Sequence, residues 1–374
     1  MNILHLRSSG GFFGAEGVIL NLARELNDSN HVNFIVCINN RGNPHEELVD
    51  EAKKIGVRAQ SVLCSGPIDF NTISIIRKLL LKYNIHILHC HDYKADFYGL
   101  WASLFLKVRR LSTNHLWTSE TKRLRMYEFL DALVLNFFDV VVAVSEKIQR
   151  QVQRFVLFRR KVVLIHNGID LTKYNPHGLL AREEMRKKFN IDQDKIVVGS
   201  AGRLTIQKGY NYLLDAAKIV MAQNPHVVFM IVGDGDERGA LEEKAKQFGL
   251  EKNVIFAGIQ KDMVGIYRAF DIFVMSSIAE GMPLVLLEAL AMQKPVIATD
   301  VGDIACVIKN DETGLIVPPR NVERLAQAIL LLVNDQEKAA YLAIHGRNSV
   351  EENFSSKIMA KGYEQVYEGA LKTT

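Results

Sequence analysis

Three stretches of this 374-residue sequence combine glycine and charge in ways that suit an anionic ligand. In Gly202-Arg-Leu-Thr-Ile-Gln-Lys-Gly209, Arg203 and Lys208 stand five apart on a loop bounded by glycines. A guanidinium grips oxygens as a fork and an ammonium acts as a point charge, so the two can converge on one diphosphate; two solvated charges are the plain alternative. In Glu280-Gly-Met-Pro-Leu-Val-Leu-Leu-Glu288, Pro283 suits a first helical turn, which leaves Glu280 in a loop and Glu288 inside a helix. Glu288 neighbours Leu286, Leu287 and Leu290. A carboxylate buried there needs hydrogen-bond donors, and the two hydroxyls of a ribose would supply them; otherwise it points to solvent. The backbone N–H groups near Gly281, Met282 and Leu284 can meet a phosphate or a sugar hydroxyl. In Ser8-Ser-Gly-Gly-Phe-Phe-Gly-Ala-Glu-Gly17, Gly10, Gly11 and Gly14 let a ligand approach the backbone, or simply make a tight turn. The spacing is not that of a dinucleotide loop, and no acidic residue closes the second strand.

A metal centre is not expected. In His89-Cys-His-Asp92 the two histidines share one face of a strand while Cys90 takes the other, which falls short of a zinc set. His91, Asp92, Tyr93 and Lys94 read instead as lining the acceptor side of a site.

The elements that must position these residues alternate between apolar strands and helices. In the first half the strands are Ile3–Leu6, Phe34–Ile38, Ile85–His89 and Val140–Val144. In the second they are Ile196–Ser200, Val227–Val232, Val254–Ala257, Ile272–Met275 and Val296–Thr299. Near-continuous apolar strands between helices mean parallel sheets covered on both faces. The expected architecture is α/β: two Rossmann-like, doubly wound domains facing across a cleft, residues 1–170 and 171–355. A final helix over 356–374 packs back on the first domain. The boundary falls between Asp170 and Gly178, a stretch rich in turn formers. All three candidate loops lie at strand-to-helix junctions, where open parallel sheets bind ligands.

The net charge of +4 is uneven. Residues 101–161 hold twelve Lys/Arg against five Asp/Glu. Within them Lys147, Arg150 and Arg154 accompany Ile148, Val152, Phe155 and Val156 at helical spacing. This basic amphipathic helix either docks on an anionic lipid or acidic glycan, or turns its apolar stripe to its own core. No nucleic-acid motif accompanies the charge, so nucleic acid is not an expected partner. Four well-separated cysteines suit a reducing compartment. No signal peptide and no membrane-spanning stretch is read, so a cytoplasmic protein, able to work at the inner face of the membrane, is expected.

Taken in order, Asn-Gly-Ile-Asp at 167–170, Gly-Arg-Leu-x3-Lys-Gly at 202–209, Val-Gly-Asp-Gly at 232–235, Phe-x-Gly at 256–258 and Glu-x7-Glu at 280–288 resemble the retaining glycosyltransferases of family 4, which have the GT-B fold. The resemblance implies that Arg203 and Lys208 hold a nucleotide diphosphate and stabilise the leaving group. It implies that Glu288 binds the ribose, and that Glu280, with the backbone of Gly281, Met282, Pro283 and Leu284, contacts the donor sugar and phosphate. Gly258 lies near the base, Gly11 and Gly14 under the diphosphate, and His115 faces the donor sugar. Two departures stand out: Gly17 where the family often has Arg, and Gly302-Asp-Ile-Ala-Cys306 where it often has Gly-Gly-x-x-Glu. The implied activity is transfer of a sugar from a nucleotide diphosphate sugar, taken as a UDP-sugar, to a saccharide or lipid-linked acceptor, without metal or other cofactor. The implied setting is bacterial cell-surface glycan or lipopolysaccharide synthesis. A nucleotide-sugar epimerase of the same fold, or a non-catalytic nucleotide-sugar-binding protein, are the alternatives.

Overall fold

A computed structural model describes residues 1–8, 10–12, 14–29, 31–66, 68–114, 122–158, 161–176 and 182–372. The chain divides into two compact units, residues 1–168 with 356–374, and residues 169–355.

The first unit is built on a seven-stranded sheet. Its strands are β1 (Asn2–Ser8), β2 (Val32–Asn40), β3 (Arg58–Cys64), β4 (Ile87–Cys90), β5 (Arg109–Asn114), β6 (Val140–Ala143) and β7 (Val162–Leu164). Every pair is parallel, in the order β3-β2-β1-β4-β5-β6-β7. The order reverses between β1 and β4, which opens a crevice beyond their carboxyl ends. The central strands are buried on both faces, as their apolar runs require.

The second unit repeats the plan with β8 (Ile196–Ala201), β9 (Val227–Val232), β10 (Val254–Gly258), β11 (Ile272–Met275), β12 (Val296–Thr299) and β13 (Leu315–Val317). The order is β10-β9-β8-β11-β12-β13, again all parallel, with the reversal between β8 and β11. Two apolar layers sandwich this sheet. Leu213, Phe229 and Ile329 belong to one; Met230, Phe273 and Leu287 belong to the other.

The C-terminal helix Ser356–Lys372 belongs to the first unit. The hydroxyl of Tyr363 hydrogen-bonds Thr113 at 3.0 Å, that of Tyr367 meets His89 Nδ1 at 2.7 Å, and Glu364 pairs with His31 at 2.7 Å. The basic helix near residue 150 is shorter than its apolar spacing suggests, running from Glu146 to Val152. Ile148, Val152 and Val156 are buried in the core of their own unit, while Phe155 is exposed.

Under the C-terminal helix lies a cluster that strand spacing alone does not reveal. His5 stands opposite His89 across β1 and β4, so three imidazoles, His5, His89 and His91, come together in the core. His5 shares hydrogen bonds with His91 at 3.1 Å and Asn33 at 3.1 Å, and His89 with Thr113 at 2.7 Å as well as Tyr367. A metal ion would have to displace these partners. Burial, opposed by the Asn33 hydrogen bond, lowers the pKa of His5 from 6.5 to about 4. Between those values the unfolded chain binds the proton and the folded chain does not, so the contribution of His5 is complete above pH 6.5 and lost as pH falls toward 4. Urea unfolding of the wild type and of His5→Gln from pH 4 to 7 should show their stability difference growing with pH by about 3 kcal/mol. A difference independent of pH would contradict the neutral buried state.

Candidate functional site

The two crevices at the strand-order reversals are where the sequence places its glycine loops. In the first unit, the loop after β1 holds Gly11, buried at φ 134°, and Gly14 opens the helix Gly14–Asp28. Asp92 closes the other side. Its carboxylate caps the helix Tyr93–Ser103 through the N–H groups of Lys94 and Ala95, both at 2.9 Å. It also accepts from Ser8 N at 2.7 Å and Ser8 Oγ at 2.9 Å. Arg7 donates to Glu16 at 3.0 Å and to the His91 carbonyl at 2.7 Å. The expectation that His91 and Asp92 line an acceptor surface is therefore corrected. The His91 ring is buried against His5, and Asp92 is engaged in joining β1 to β4. Tyr93 is exposed, and Lys94 donates to Asn40 at 2.8 Å. His115 lies outside the described residues.

In the second unit the crevice between β8 and β11 brings Lys208 and Glu280 together. Lys208 ends a short 3-10 turn, Ile206–Lys208, and its ammonium donates to Glu280 Oε1 at 2.6 Å. Ser277 Oγ donates to the same oxygen at 2.6 Å. Glu280 is 8% exposed, so this carboxylate is held rather than solvated. Neither contact uses Oε2, and two donors remain on the Lys208 ammonium. Arg203 stands exposed at the start of the loop.

The two loops are stitched to each other along their length. Ile278 N donates to the Gln207 carbonyl at 2.8 Å, Gln207 Nε2 to the Ala279 carbonyl at 2.9 Å, and Ser276 Oγ to the Lys208 carbonyl at 3.1 Å. Gly209 has φ 66° and lies so close to the Ser276 carbonyl that a β-carbon would overlap it. Only glycine meets both conditions. The unusual loop Gly302-Asp-Ile-Ala-Cys306 packs on the same region. Gly302, at φ 62°, abuts the Glu280 carbonyl, and Asp303 N donates to the Gly281 carbonyl at 3.2 Å. Thr299 Oγ1 donates to the Ser277 carbonyl at 2.6 Å, so β12 supports the loop from behind.

Glu288 sits inside the helix Leu284–Ala291. Pro283 caps that helix rather than entering its first turn, and Met282 and Pro283 are buried beside Gly281. The carboxylate of Glu288 already has donors. Tyr267 Oη donates to Oε2 at 2.7 Å and the hydroxyl of Tyr174 also hydrogen-bonds it. Burial raises the Glu288 pKa, and the two phenols and the positive charge of Lys173 oppose that rise. Gly258 ends β10 at φ 65° after a bulge, and its carbonyl accepts from Gly233 N at 2.9 Å. Ser277, Tyr174 and Tyr267 were not among the residues read from the sequence. A serine and two tyrosines carry no motif of their own, and only three-dimensional contact reveals their partners.

The model for Glycosyltransferase Family 4 matches residues 13–173, and that for Glycosyl transferases group 1 matches residues 181–349. The chain belongs to glycosyltransferase family 4. It is similar to the UDP-Gal:alpha-D-GlcNAc-diphosphoundecaprenol alpha-1,3-galactosyltransferase of Escherichia coli, 26% identical over 77% of this chain and 76% of that one. It is also similar to the putative glycosyltransferase EpsF of Bacillus subtilis, 28% identical over 80% of this chain and 79% of that one. Among solved structures, Anabaena HepE in complex with UDP and glucose superposes with a TM-score of 0.88 over 99% of this chain and 100% of that one, at 20% identity. The sucrose-phosphate synthase of Thermosynechococcus elongatus does so with 0.82 over 100% of both chains, at 22% identity. This family 4 glycosyltransferase therefore has the GT-B fold, and its two Rossmann-like units are the halves of that fold.

Proposed function

We propose that this glycosyltransferase takes a hexose from a UDP-sugar and joins it, with retention of anomeric configuration, to an acceptor hydroxyl in the synthesis of a bacterial cell-surface glycan. The observation that carries the reading is the Lys208–Glu280 pair at the β8–β11 crevice. A diphosphate seated there meets the two remaining donors of the Lys208 ammonium and the fork of Arg203. Glu280 Oε2 is left to accept from a sugar hydroxyl. UDP as donor is supported by the complexes of HepE and by the UDP-Gal in the name of the Escherichia coli relative.

The transfer makes one bond and breaks one. The acceptor oxygen bonds to the anomeric carbon on the leaving-group face, and the bond from that carbon to the diphosphate oxygen breaks with its electron pair. The acceptor's proton passes to the departing diphosphate. Negative charge builds on the leaving oxygen, and cations fixed beforehand beside it stabilise that charge more in the transition state than in the ground state. Lys208 and Arg203 fill this role in the reading, with no metal required. Ser277 and Lys208 both hold Oε1 of Glu280, so the carboxylate does not reorganise during the step.

A surface on the first unit supports a lipid-linked acceptor, reached at the inner face of the membrane. Phe129, Leu130, Leu133, Phe137, Leu157 and Phe158 are all exposed. Leu157 N donates to Asn136 Oδ1 at 2.7 Å, which draws the second group against the first. Lys161 lies 5.3 Å from the Phe158 ring centre, and the surrounding segment is the basic one. Exposed rings bordered by cations suit an anionic bilayer surface. No helix among the described residues is long and apolar enough to cross a membrane.

Two experiments test these assignments. Lys208→Ala and Glu280→Ala should each lower sugar transfer from UDP-sugars at least about 100-fold while circular dichroism shows an intact fold. Near-normal transfer in both would overturn the assignment, and conversion of the donor with no acceptor present would instead favour an epimerase. The protein should sediment with phosphatidylglycerol vesicles but not with phosphatidylcholine vesicles, and Phe137→Glu with Leu157→Glu should abolish this. Unchanged sedimentation of that double variant would exclude the apolar surface.

A further inference from the structure

Glu288 is held by two phenols that come from different parts of the second unit. Tyr267 lies on the helix Met263–Ala269, and Tyr174 lies in the segment that opens the unit. Tyr174 is fixed at its backbone: its N–H donates to the Asp170 carbonyl at 3.0 Å, and its carbonyl accepts from Arg347 at 3.3 Å. Asp170 is itself locked, accepting at Oδ1 from Thr172 N at 3.0 Å and Thr172 Oγ1 at 2.6 Å. The two tyrosine rings meet edge to face at 6.2 Å. Both are buried, whereas Glu288 is only partly so. The phenols thus hold the carboxylate from two sides of the unit's own chain, the helix Met263–Ala269 and the opening segment.

A carboxylate has about four lone-pair directions, and the two phenols use two of them. Burial raises the pKa of both tyrosines, so each keeps its proton and remains a donor. A glutamate so held cannot turn its carboxylate plane freely. A ligand that donates to the remaining lone pairs then finds an acceptor already oriented, and less side-chain freedom is lost when it binds.

We propose that Tyr174 and Tyr267 are positioning residues that set the plane of the Glu288 carboxylate for the vicinal hydroxyls of a ribose, and so determine the preference for ribonucleoside diphosphates over deoxy forms. The proposal rests on the reading that Glu288 meets the ribose of the donor. The chemistry follows from the bonds: each phenol has a single proton and directs it to the carboxylate, so the tyrosines orient Glu288 and the remaining lone pairs of the carboxylate accept from the ribose hydroxyls. Because Tyr174 belongs to the segment that begins the second unit, that segment contributes to donor affinity without touching the donor.

The test compares a ribonucleoside diphosphate with its 2′,3′-dideoxy form, using whichever of UDP, GDP and ADP raises the melting temperature of the wild type. Calorimetric titration should show the ribo form binding at least about 10-fold more tightly, as a site built to bind hydroxyls requires. In Tyr174→Phe and in Tyr267→Phe, affinity for the ribo form should fall about 5-fold while affinity for the dideoxy form changes less than about 2-fold. In the transfer reaction the donor KM should rise with kcat unchanged. Equal weakening of both nucleotides would mean that the tyrosines only support the fold, and no weakening of either would mean that they do not position the carboxylate; both results overturn the proposal. Glu288→Gln separates its failure from that of the underlying reading. If Glu288→Gln leaves the ribo preference intact, the ribose assignment fails and the proposal falls with it. If Glu288→Gln removes the preference while both phenylalanine variants keep it, the ribose assignment stands and the positioning role is refuted.

Discussion

The second unit is organised around a cation and an anion brought together at the reversal of strand order. Lys208 and Glu280 lie on loops that leave neighbouring strands, β8 and β11, and their 2.6 Å contact ties one loop to the other. Both partners are largely withdrawn from water, with side-chain exposures of 22% and 7%. Removing one member of such a pair leaves a poorly solvated charge, which costs on the order of 3–5 kcal/mol in fully buried cases. The pair therefore demands its supports: the Ser277 hydroxyl on the shared oxygen, the Gln207 bridge to the 278–279 backbone, and the glycines at 209 and 302 that let three backbones approach. A parallel sheet supplies the frame, because its strands deliver all their carboxyl-end loops to one edge.

The sequence made the repeated α/β plan legible, because continuous apolar runs such as Val227–Val232 exclude a half-exposed strand. Four strands escaped that reading for physical reasons. Arg58–Cys64 lies at the sheet edge and mixes polar with apolar residues, and Arg109–Asn114 carries two arginines and three polar side chains. Val162–Leu164 and Leu315–Val317 are three residues each, too short to show a period. The charged site residues were visible because glycine loops and paired charges are uncommon together. Their hydrogen-bond partners were not, since Ser277, Tyr174 and Tyr267 are ordinary residue types whose roles depend on contacts across 3, 114 and 21 positions of sequence.

Each unit also buries a polar network. In the first unit, His5, His89 and His91 with Thr113, Tyr363 and Tyr367 fasten the C-terminal helix over the sheet. A fully satisfied network of this kind specifies one packing, because any displacement leaves a buried donor or acceptor unpaired. Asp92, beside this network, serves as a helix cap and as a tie to Ser8. In the second unit Tyr267 and Tyr174 both hydrogen-bond the Glu288 carboxylate.

A crystal structure of the full chain with bound UDP tests the role of Lys208 and Arg203 most directly. The pyrophosphate should lie beyond the ends of β8 and β11, with its oxygens within hydrogen-bond distance of Lys208 Nζ and Arg203, and the ribose on Glu288. A pyrophosphate bound elsewhere, with Lys208 engaged by Glu280 alone, would contradict it.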